Sequence, residues 1–186
     1  LEYERMTNEQ LSANTRKLMN TSEIDELTGI SNRYGLKKRF TKLCEIACFQ
    51  KARICLCLFD IDEFKVYNDE YGHLKGDDCL KRIAGILQDT VGTEFFASRY
   101  GGAEFVILGI DKSDEELRKF VEKLFQEING AKMPFLRHQE ADTVTISMGV
   151  VNKVVEMDYS LTDFIHSADR NLYKVKKGGK NQYVLE

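Results

Sequence analysis

Two acids, Asp60 and Asp62, stand at the end of the apolar run "RICLCLFD". If this run is a strand, the two side chains share one face of it, because alternate strand residues point the same way. Carboxylates at the end of a buried strand are costly unless they are solvated, paired or bound to a cation. One interpretation is a pair of solvated turn acids. The other is a Mg²⁺ site, because Mg²⁺ takes few protein ligands and completes its shell with phosphate and water.

The residues after these acids add donors that suit a phosphate. The chain is expected to turn into a helix at 63–65, where the first backbone N–H groups have no helical partner, and Lys65 supplies a cation beside them. Farther on, Asn68 and Asp77 offer an amide and a carboxylate that can together recognise the edge of a base. A carboxylate can accept from the N1–H and the exocyclic amine of guanine. Alone, each of these features is weak.

An alternation of helices and strands must position these residues. The continuous apolar run "RICLCLFDI" predicts a buried central strand, and "TEFFASRYGGAEFVILGI" predicts a β-hairpin with a tight turn at its two glycines. Ser113 and Glu116 form a capping box at the beginning of a helix. The other predicted elements are helices near 1–20, 34–51, 63–70, 75–90 and from Ser160, and strands over 142–151 and at the C-terminal end. This order favours an α+β fold: a central, mostly antiparallel sheet with helices packed on one side, preceded by an N-terminal helix.

Composition narrows the class of protein. The 186 residues are 42% hydrophobic and 31% charged with a net charge of −3, which is typical of one soluble domain and gives no basic surface for nucleic acid. No apolar run is long enough to cross a membrane. The five cysteines contain no C-x-x-C pair and stand in apolar contexts, so we expect buried, reduced thiols and a cytoplasmic location.

Several spaced motifs together resemble one known family. "DELTGISNR", "FDIDEFKVYND", "YGH", "KGD", "RYGGAEF", "TISMGV" and "ADRNLY" occur in the order and context of the GGDEF domain. We therefore expect a helical linker or stalk at residues 1–21 and a GGDEF domain at 22–186. The resemblance implies a diguanylate cyclase, which condenses two GTP into cyclic di-GMP with Mg²⁺ as cofactor. It also implies the ferredoxin-like, palm-like fold of nucleotidyl cyclases.

The resemblance assigns a role to each matching residue. Mg²⁺ would be bound by the carboxylate of Asp60 and the backbone carbonyl of Ile61. The positions that contact GTP in the family, the two guanine-recognising ones first, are Asn68, Asp77, Glu63, Phe64, Lys65, Gly101, Gly102, Lys176 and Lys180. Asp62 and His73 also match the family pattern and are interpreted as structural.

The signature hairpin departs from the family at Ala103, where the family has Asp or Glu. In the family that acid is a metal ligand and helps to deprotonate the attacking 3′-hydroxyl, and a methyl group can do neither. Asp60, Lys65 and Glu104 remain as candidate catalytic residues. Glu104 is not expected to replace the missing acid, because adjacent strand side chains point to opposite faces.

The sequence thus predicts a GGDEF-family domain of cyclic di-GMP signalling that binds GTP and Mg²⁺, with synthesis of cyclic di-GMP lost or strongly impaired. Two alternatives stay open: a functional diguanylate cyclase, or an engineered inactive form of one, and a dimerisation or regulatory module that binds no nucleotide. Cyclic di-GMP is a second candidate ligand. Because two GTP must face each other, we expect a homodimer through the N-terminal helix. A sensor domain is expected upstream, and no nucleic-acid or membrane partner.

Overall fold

The computed structural model describes residues 22–137, 140–155 and 159–186. The helical linker or stalk predicted at 1–21 lies outside the described residues. The described helices are α1 (Arg33–Gln50), α2 (Phe64–Tyr71), α3 (His73–Val91), α4 (Asp114–Gly130) and α5 (Leu161–Lys177). The described strands are β1 (Arg53–Ile61), β2 (Phe95–Gly101), β3 (Glu104–Ile110), β4 (Pro134–Arg137), β5 (Glu140–Thr143), β6 (Ile146–Val154) and β7 (Tyr183–Leu185).

Five strands form one mixed sheet in the order β2-β3-β1-β6-β7. The central strand β1 pairs antiparallel with β3 and β6, β2 pairs antiparallel with β3, and β7 runs parallel to β6. The mostly antiparallel sheet predicted from the sequence is confirmed. In this register Asp60 stands between Glu104 of β3 and Ser147 of β6. The candidate functional residues therefore begin at the middle of one end of the sheet.

Helices cover both faces of this sheet, so the expectation that they pack on one side was wrong. On one face, Cys55 and Phe59 of β1 share a core with residues of α3 and α4. On the other face, Leu56 and Leu58 share a core with residues of α1 and α5. All residues of β1 from Ile54 to Phe59 are buried. Since consecutive strand residues point to opposite faces, a strand buried along this length needs cover on both sides.

The contact between α5 and β6 is close at Gly149. A Cβ atom built there would lie 1.9 Å from the carbonyl oxygen of Ala168 and 2.5 Å from the backbone nitrogen of Leu172, so this contact requires glycine. A capping box at Ser160 fixes the beginning of α5. The last turn of α5 carries Lys176, which reaches Asp60 at the end of β1. The packing of α5 therefore delivers a cation to the candidate site.

The segment after α4 differs from the sequence-based prediction. The strand predicted over 142–151 is two elements, since β5 ends at Thr143 and β6 begins at Ile146. β5 pairs with β4 in a separate two-stranded sheet, and β4 was not predicted. A strand of four residues shows too little alternation to be recognised by its period. The capping box at Ser113 and the helix that follows it are confirmed.

The cysteines are free thiols. Cys55, Cys57 and Cys79 are buried as predicted, whereas Cys44 and Cys48 on α1 are only half-buried. Burial raises the pKa of Cys44 to about 11 and that of Cys55 to about 12, so both thiols stay protonated near neutral pH. No helix within 22–137, 140–155 and 159–186 has both the length and the apolar character needed to span a membrane.

Candidate functional site

An open cavity of about 580 Å³ lies where β1 ends and α2 begins. Its size is within the range of small-molecule sites in proteins. The predicted site residues on its wall are Asp60, Ile61, Glu63, Phe64, Lys65, Asn68 and Gly102. Ala103 and His73 also line the wall, as does Asp69, which the sequence did not single out. The other predicted site residues, off the wall, are Asp77, Gly101, Glu104, Lys176 and Lys180.

The carboxylate of Asp60 stands beside one cation and one acid. Nζ of Lys176 forms an ion pair with Oδ2 of Asp60, and Glu104 lies directly opposite on β3. Burial raises the pKa of Asp60, and the bond from Lys176 only partly opposes this. The pKa of Glu104 is raised as well, mainly because the side chain is partly buried and in second place because of the negative charge of Asp60. Both acids are therefore held where their charged forms are costly, and a divalent cation would relieve that cost.

Ala103, in the turn of the hairpin, and Glu104, the first residue of β3, face different surroundings. Ala103 packs against the core beneath α3 and α4 and lines the cavity. Glu104 is the direct partner of Asp60 across the strands, and such partners have side chains on the same face. Glu104 therefore does not share the surroundings of Ala103 but stands beside Asp60. The sequence analysis missed this proximity, because the register between β1 and β3 was unknown.

The beginning of α2 provides backbone donors at the cavity. Glu63 precedes the helix with a φ of 54°, a left-handed conformation that is uncommon outside glycine. The N–H of Tyr67 donates to the carbonyl of Glu63, so the N–H groups of Phe64 and Lys65 lie in the first turn and have no partner within the helix. Nζ of Lys180 pairs with the carboxylate of Glu63 at 2.5 Å. This group of donors can bind the phosphates of a nucleotide.

Asn68 lies on α2 with its side chain on the cavity wall. Its Oδ1 atom is buried and has no hydrogen-bond partner in the described part of the chain. The backbone carbonyl of Asn68 accepts from the N–H of Gly72 at 2.8 Å, and Gly72 turns the chain into α3 with a φ of 82°. Asp77 follows as the fifth residue of α3 and is half-buried. The structure thus brings Asn68 to the cavity, whereas Asp77 is not among the residues that line it.

Asp62 is enclosed by protein donors, with only 2% of its surface exposed. Its carboxylate accepts from the hydroxyls of Thr145 and Ser147, both at 2.7 Å, and from the backbone N–H of Asn181 at 3.2 Å. These bonds tie the end of β1 to β6 and to the loop that carries Lys180. Sequence reasoning assigned no role to either hydroxyl, although both lie within the motif "TISMGV". The arrangement fits the structural role predicted for Asp62.

Arg99 joins the signature hairpin to the loop before α1. Its Nε and Nη2 atoms donate to the carbonyl of Gly102 at 3.0 and 2.8 Å, and its Nη1 donates to Asp25 at 3.1 Å. Asp25 also accepts from the N–H and the hydroxyl of Thr28 at 3.0 and 2.6 Å. Sequence reasoning missed this contact, because 74 residues separate its two charged partners. It fixes the carbonyl that precedes Ala103.

The possible metal ligands in this site suit Mg²⁺ better than a metal that is held by protein ligands alone. Among the described residues there is no group of three or more His, Cys, Asp or Glu that could hold a metal ion. Mg²⁺ is usually bound by one or two carboxylates together with phosphate oxygens and water. Asp60 is a desolvated carboxylate on the cavity wall, and Ile61 is its neighbour there. These two residues could hold Mg²⁺ once a phosphate supplies the remaining ligands.

The fold and the site together define a class, the α+β domains of nucleotidyl cyclase type. The defining features are acids at the end of the central strand, a helix N-terminus beside them and lysines from α5 and the loop after it. A family model described as "Diguanylate cyclase, GGDEF domain" matches residues 22–182. The chain therefore belongs to the GGDEF family of diguanylate cyclase domains, as the resemblance implied.

Known relatives and solved structures agree with this assignment. Diguanylate cyclase VdcA of Vibrio cholerae is 34% identical over 176 residues, which are 94% of this chain and 50% of the relative. Response regulator PleD of Caulobacter vibrioides is 31% identical over 160 residues, 86% of this chain and 35% of the relative. The GGDEF domain of DgcB from Caulobacter crescentus, solved in complex with c-di-GMP, has a TM-score of 0.79 at 27% identity and covers 88% of this chain and 95% of that one. The chain thus spans half or less of the length of these curated relatives.

Proposed function

We propose that this domain binds GTP with Mg²⁺ in the cavity at the end of β1, and that its synthesis of cyclic di-GMP is lost or strongly impaired. The observation that carries the proposal is the position of Ala103. Its methyl group belongs to the cavity wall together with Asp60, at the position where the family has an acid. The solved structure of the DgcB domain in complex with c-di-GMP supports guanine-nucleotide binding by this fold.

Binding of GTP would use groups that are present in this chain. Asp60 and the carbonyl of Ile61 would hold Mg²⁺, which when bound neutralises charge on the phosphates. The N–H groups at the beginning of α2 and the ammonium of Lys65 would bind the β- and γ-phosphates. Lys176 and Lys180 would exchange their present carboxylate partners for phosphate oxygens.

Recognition of the base would fall to Asn68 and Asp77. The carboxylate of Asp77 can accept from the N1–H and exocyclic amine of guanine, while the amide of Asn68 can both donate and accept. Each domain would present one GTP, so cyclisation of two GTP needs two domains facing each other. We propose a homodimer in which residues 1–21 form the dimerising helix, with a sensor domain upstream that orients the two halves.

The expected loss of reaction rate caused by Ala103 follows from the usual contribution of an acid–base group. Positioned acid–base groups contribute about 10²- to 10⁴-fold to a rate. At 1.36 kcal/mol per decade, this corresponds to about 3–5 kcal/mol of activation free energy. Binding of GTP should suffer less, because the proposed contacts to base and phosphates do not involve the missing acid.

A second candidate function is a working cyclase, and one observation favours it. Glu104 lies directly opposite Asp60 on the same face of the sheet, and the charge of Asp60 raises the pKa of Glu104. A carboxylate with a raised pKa beside a metal-binding acid is a reasonable base. If Glu104 can reach the metal and the 3′-hydroxyl, Ala103 alone would not abolish turnover.

The decisive experiment measures GTP turnover in excess Mg²⁺, with cyclic di-GMP quantified chromatographically. The unchanged protein is compared with Ala103→Asp and with Ala103→Asn, which has nearly the same size but no carboxylate. We expect Ala103→Asp to form cyclic di-GMP about 10²–10⁴ times faster than the unchanged protein and Ala103→Asn. Rapid product formation by the unchanged protein, abolished in Glu104→Gln, would refute the proposed impairment and establish the second candidate.

A calorimetric titration with GTP and Mg²⁺ completes the test. If no variant forms product but GTP binds, nucleotide binding stands and dimerisation becomes the missing step. If GTP does not bind at all, the proposal fails, and a regulatory or dimerising module without nucleotide takes its place.

A further inference from the structure

Gly76, in α3, lies against the side chain of Asn68 in α2. A Cβ atom built at Gly76 would stand 1.8 Å from Oδ1 and 2.9 Å from Cγ of Asn68, and 3.3 Å from Cζ of Phe64. Both distances to Asn68 are too short for non-bonded atoms. Asn68 can therefore occupy its present position only while residue 76 is glycine. Gly85, on the same helix, has no atom within 4 Å of its own built Cβ.

The contact with Gly76 is made by one end of the Asn68 amide. Oδ1 lies against α3, buried and without a hydrogen-bond partner among the described residues. The N–H of Gly76 cannot serve it, because that group already donates to the carbonyl of Gly72 at 3.1 Å. Nδ2 is not among the buried unpartnered atoms, and no described residue accepts a bond from it. Since Asn68 lines the cavity, its amino group is the end left for a ligand.

We propose that Gly76 is a specificity-determining residue that acts through Asn68, by holding this amide with its amino group toward the base. This inference rests on the proposed binding of GTP. An amino group reads an acceptor, and guanine presents the O6 and N7 acceptors on one edge, whereas adenine presents a donor in place of O6. A side chain at residue 76 would force the amide to rotate or withdraw, and the preference for guanine would fall. Gly76 itself does not touch the nucleotide, so it is a positioning residue.

The test compares Gly76→Ala with Gly85→Ala, a matched control because both glycines lie within α3 and alanine favours a helix at either position. Dissociation constants for GTP and for ATP, each with Mg²⁺, are measured by calorimetry. We expect Gly85→Ala to bind like the unchanged protein. Gly76→Ala should bind GTP about 10- to 100-fold more weakly, the usual scale for losing one well-placed hydrogen bond and leaving its partner unpaired. Its affinity for ATP should change less than about threefold.

A double-mutant cycle with Asn68→Ala separates positioning from a general structural effect. The shortened side chain in Asn68→Ala leaves room for a Cβ at residue 76, so Gly76→Ala should have no further effect on GTP affinity in that background. This arm remains informative even if Gly76→Ala alone folds poorly. Equal losses for GTP and ATP, or a full additional loss in the double variant, would overturn the proposal. If the unchanged protein binds no GTP, both the proposed function and this inference are refuted. If the unchanged protein and Gly76→Ala bind GTP equally well, only this inference is refuted.

Discussion

Replacing Arg99 by alanine removes one clamp that holds the signature hairpin. The Arg99 side chain is 15% exposed and that of its partner Asp25 is 23% exposed, so most of this ion pair is shielded from water. The substitution deletes the bonds to Asp25 and the two bonds to the carbonyl of Gly102. It leaves Asp25 with its bonds from Thr28 but without a cation.

The expected destabilisation lies between two limits. Breaking a buried ion pair costs about 3–5 kcal/mol, and an exposed pair contributes about 0–1 kcal/mol. The exposed carbonyl of Gly102 can bond to water instead, so the loss of charge-assisted bonds to Asp25 dominates. We therefore expect Arg99→Ala to lower the free energy of unfolding by about 2–3 kcal/mol. For a domain of this size, that lowers the melting temperature by roughly 4–12 °C.

Urea unfolding at neutral pH measures this change in the free energy of unfolding. The control is Arg118→Ala, at an exposed position on α4, whose free energy of unfolding should lie within about 0.5 kcal/mol of that of the unchanged protein. Arg99→Lys keeps the charge but loses the planar fork, so an intermediate loss is expected. A cycle with Asp25→Ala should give a coupling free energy of about 1–2 kcal/mol. A coupling near zero, or a loss from Arg99→Ala no larger than that of the control, would refute the reasoning.

The pH dependence of this pair has a definite sign. Burial pushes the pKa of Asp25 upward, but the bonds from Thr28 and Arg99 outweigh burial and leave the pKa below its usual value. A depressed carboxyl pKa gives stability that is present above the unfolded-state pKa and is lost as pH falls through the folded-state pKa. The difference in free energy of unfolding between Arg99→Ala and the unchanged protein should therefore persist from neutral pH down to the pH range in which ordinary carboxyls titrate. It should shrink only in stronger acid.

Three further predictions concern other parts of the chain. Gly149→Ala should destabilise the protein by about 3 kcal/mol or more, because the added methyl group meets the backbone of α5. The control in thermal unfolding is Gly130→Ala, because no atom lies within 4 Å of a Cβ built at Gly130. Equal melting temperatures for the two variants would contradict the close contact at Gly149. Asp62→Asn should cost about 1–3 kcal/mol, because an amide cannot accept both buried hydroxyl bonds, and an unchanged urea midpoint would count against this. Because burial raises the pKa of Asp60, Mg²⁺-dependent GTP binding should already weaken at a pH above the range in which ordinary carboxyls titrate. A calorimetric pH series that stays flat down to the ordinary carboxyl range would show that Asp60 does not bind the metal.

Local sequence signals were sufficient for most elements and for one part of the site. The capping box at Ser113 and the apolar run of β1 depend only on neighbouring residues, and both predictions are confirmed. Asp60, Lys65 and Asn68 lie within nine residues of each other, so a strand followed directly by a helix was enough to bring them to one cavity. By contrast, the strand β4 is only four residues long and left no periodic signal. The prediction that helices cover one face of the sheet was wrong, although the continuous apolar run of β1 is typical of a strand that is covered on both faces.

By itself, the sequence determined the family and the segment after β1 that lines the cavity, and it placed an alanine beside the two glycines of the hairpin. The tertiary structure alone decided that Glu104 stands beside Asp60, that Lys176 reaches that acid across 116 residues, and that Gly76 leaves room for the amide of Asn68. The physical reason is that these contacts depend on strand register and on the approach of packed helices. A slip of one residue between β1 and β3 would move Glu104 to the opposite face while leaving every local pattern unchanged.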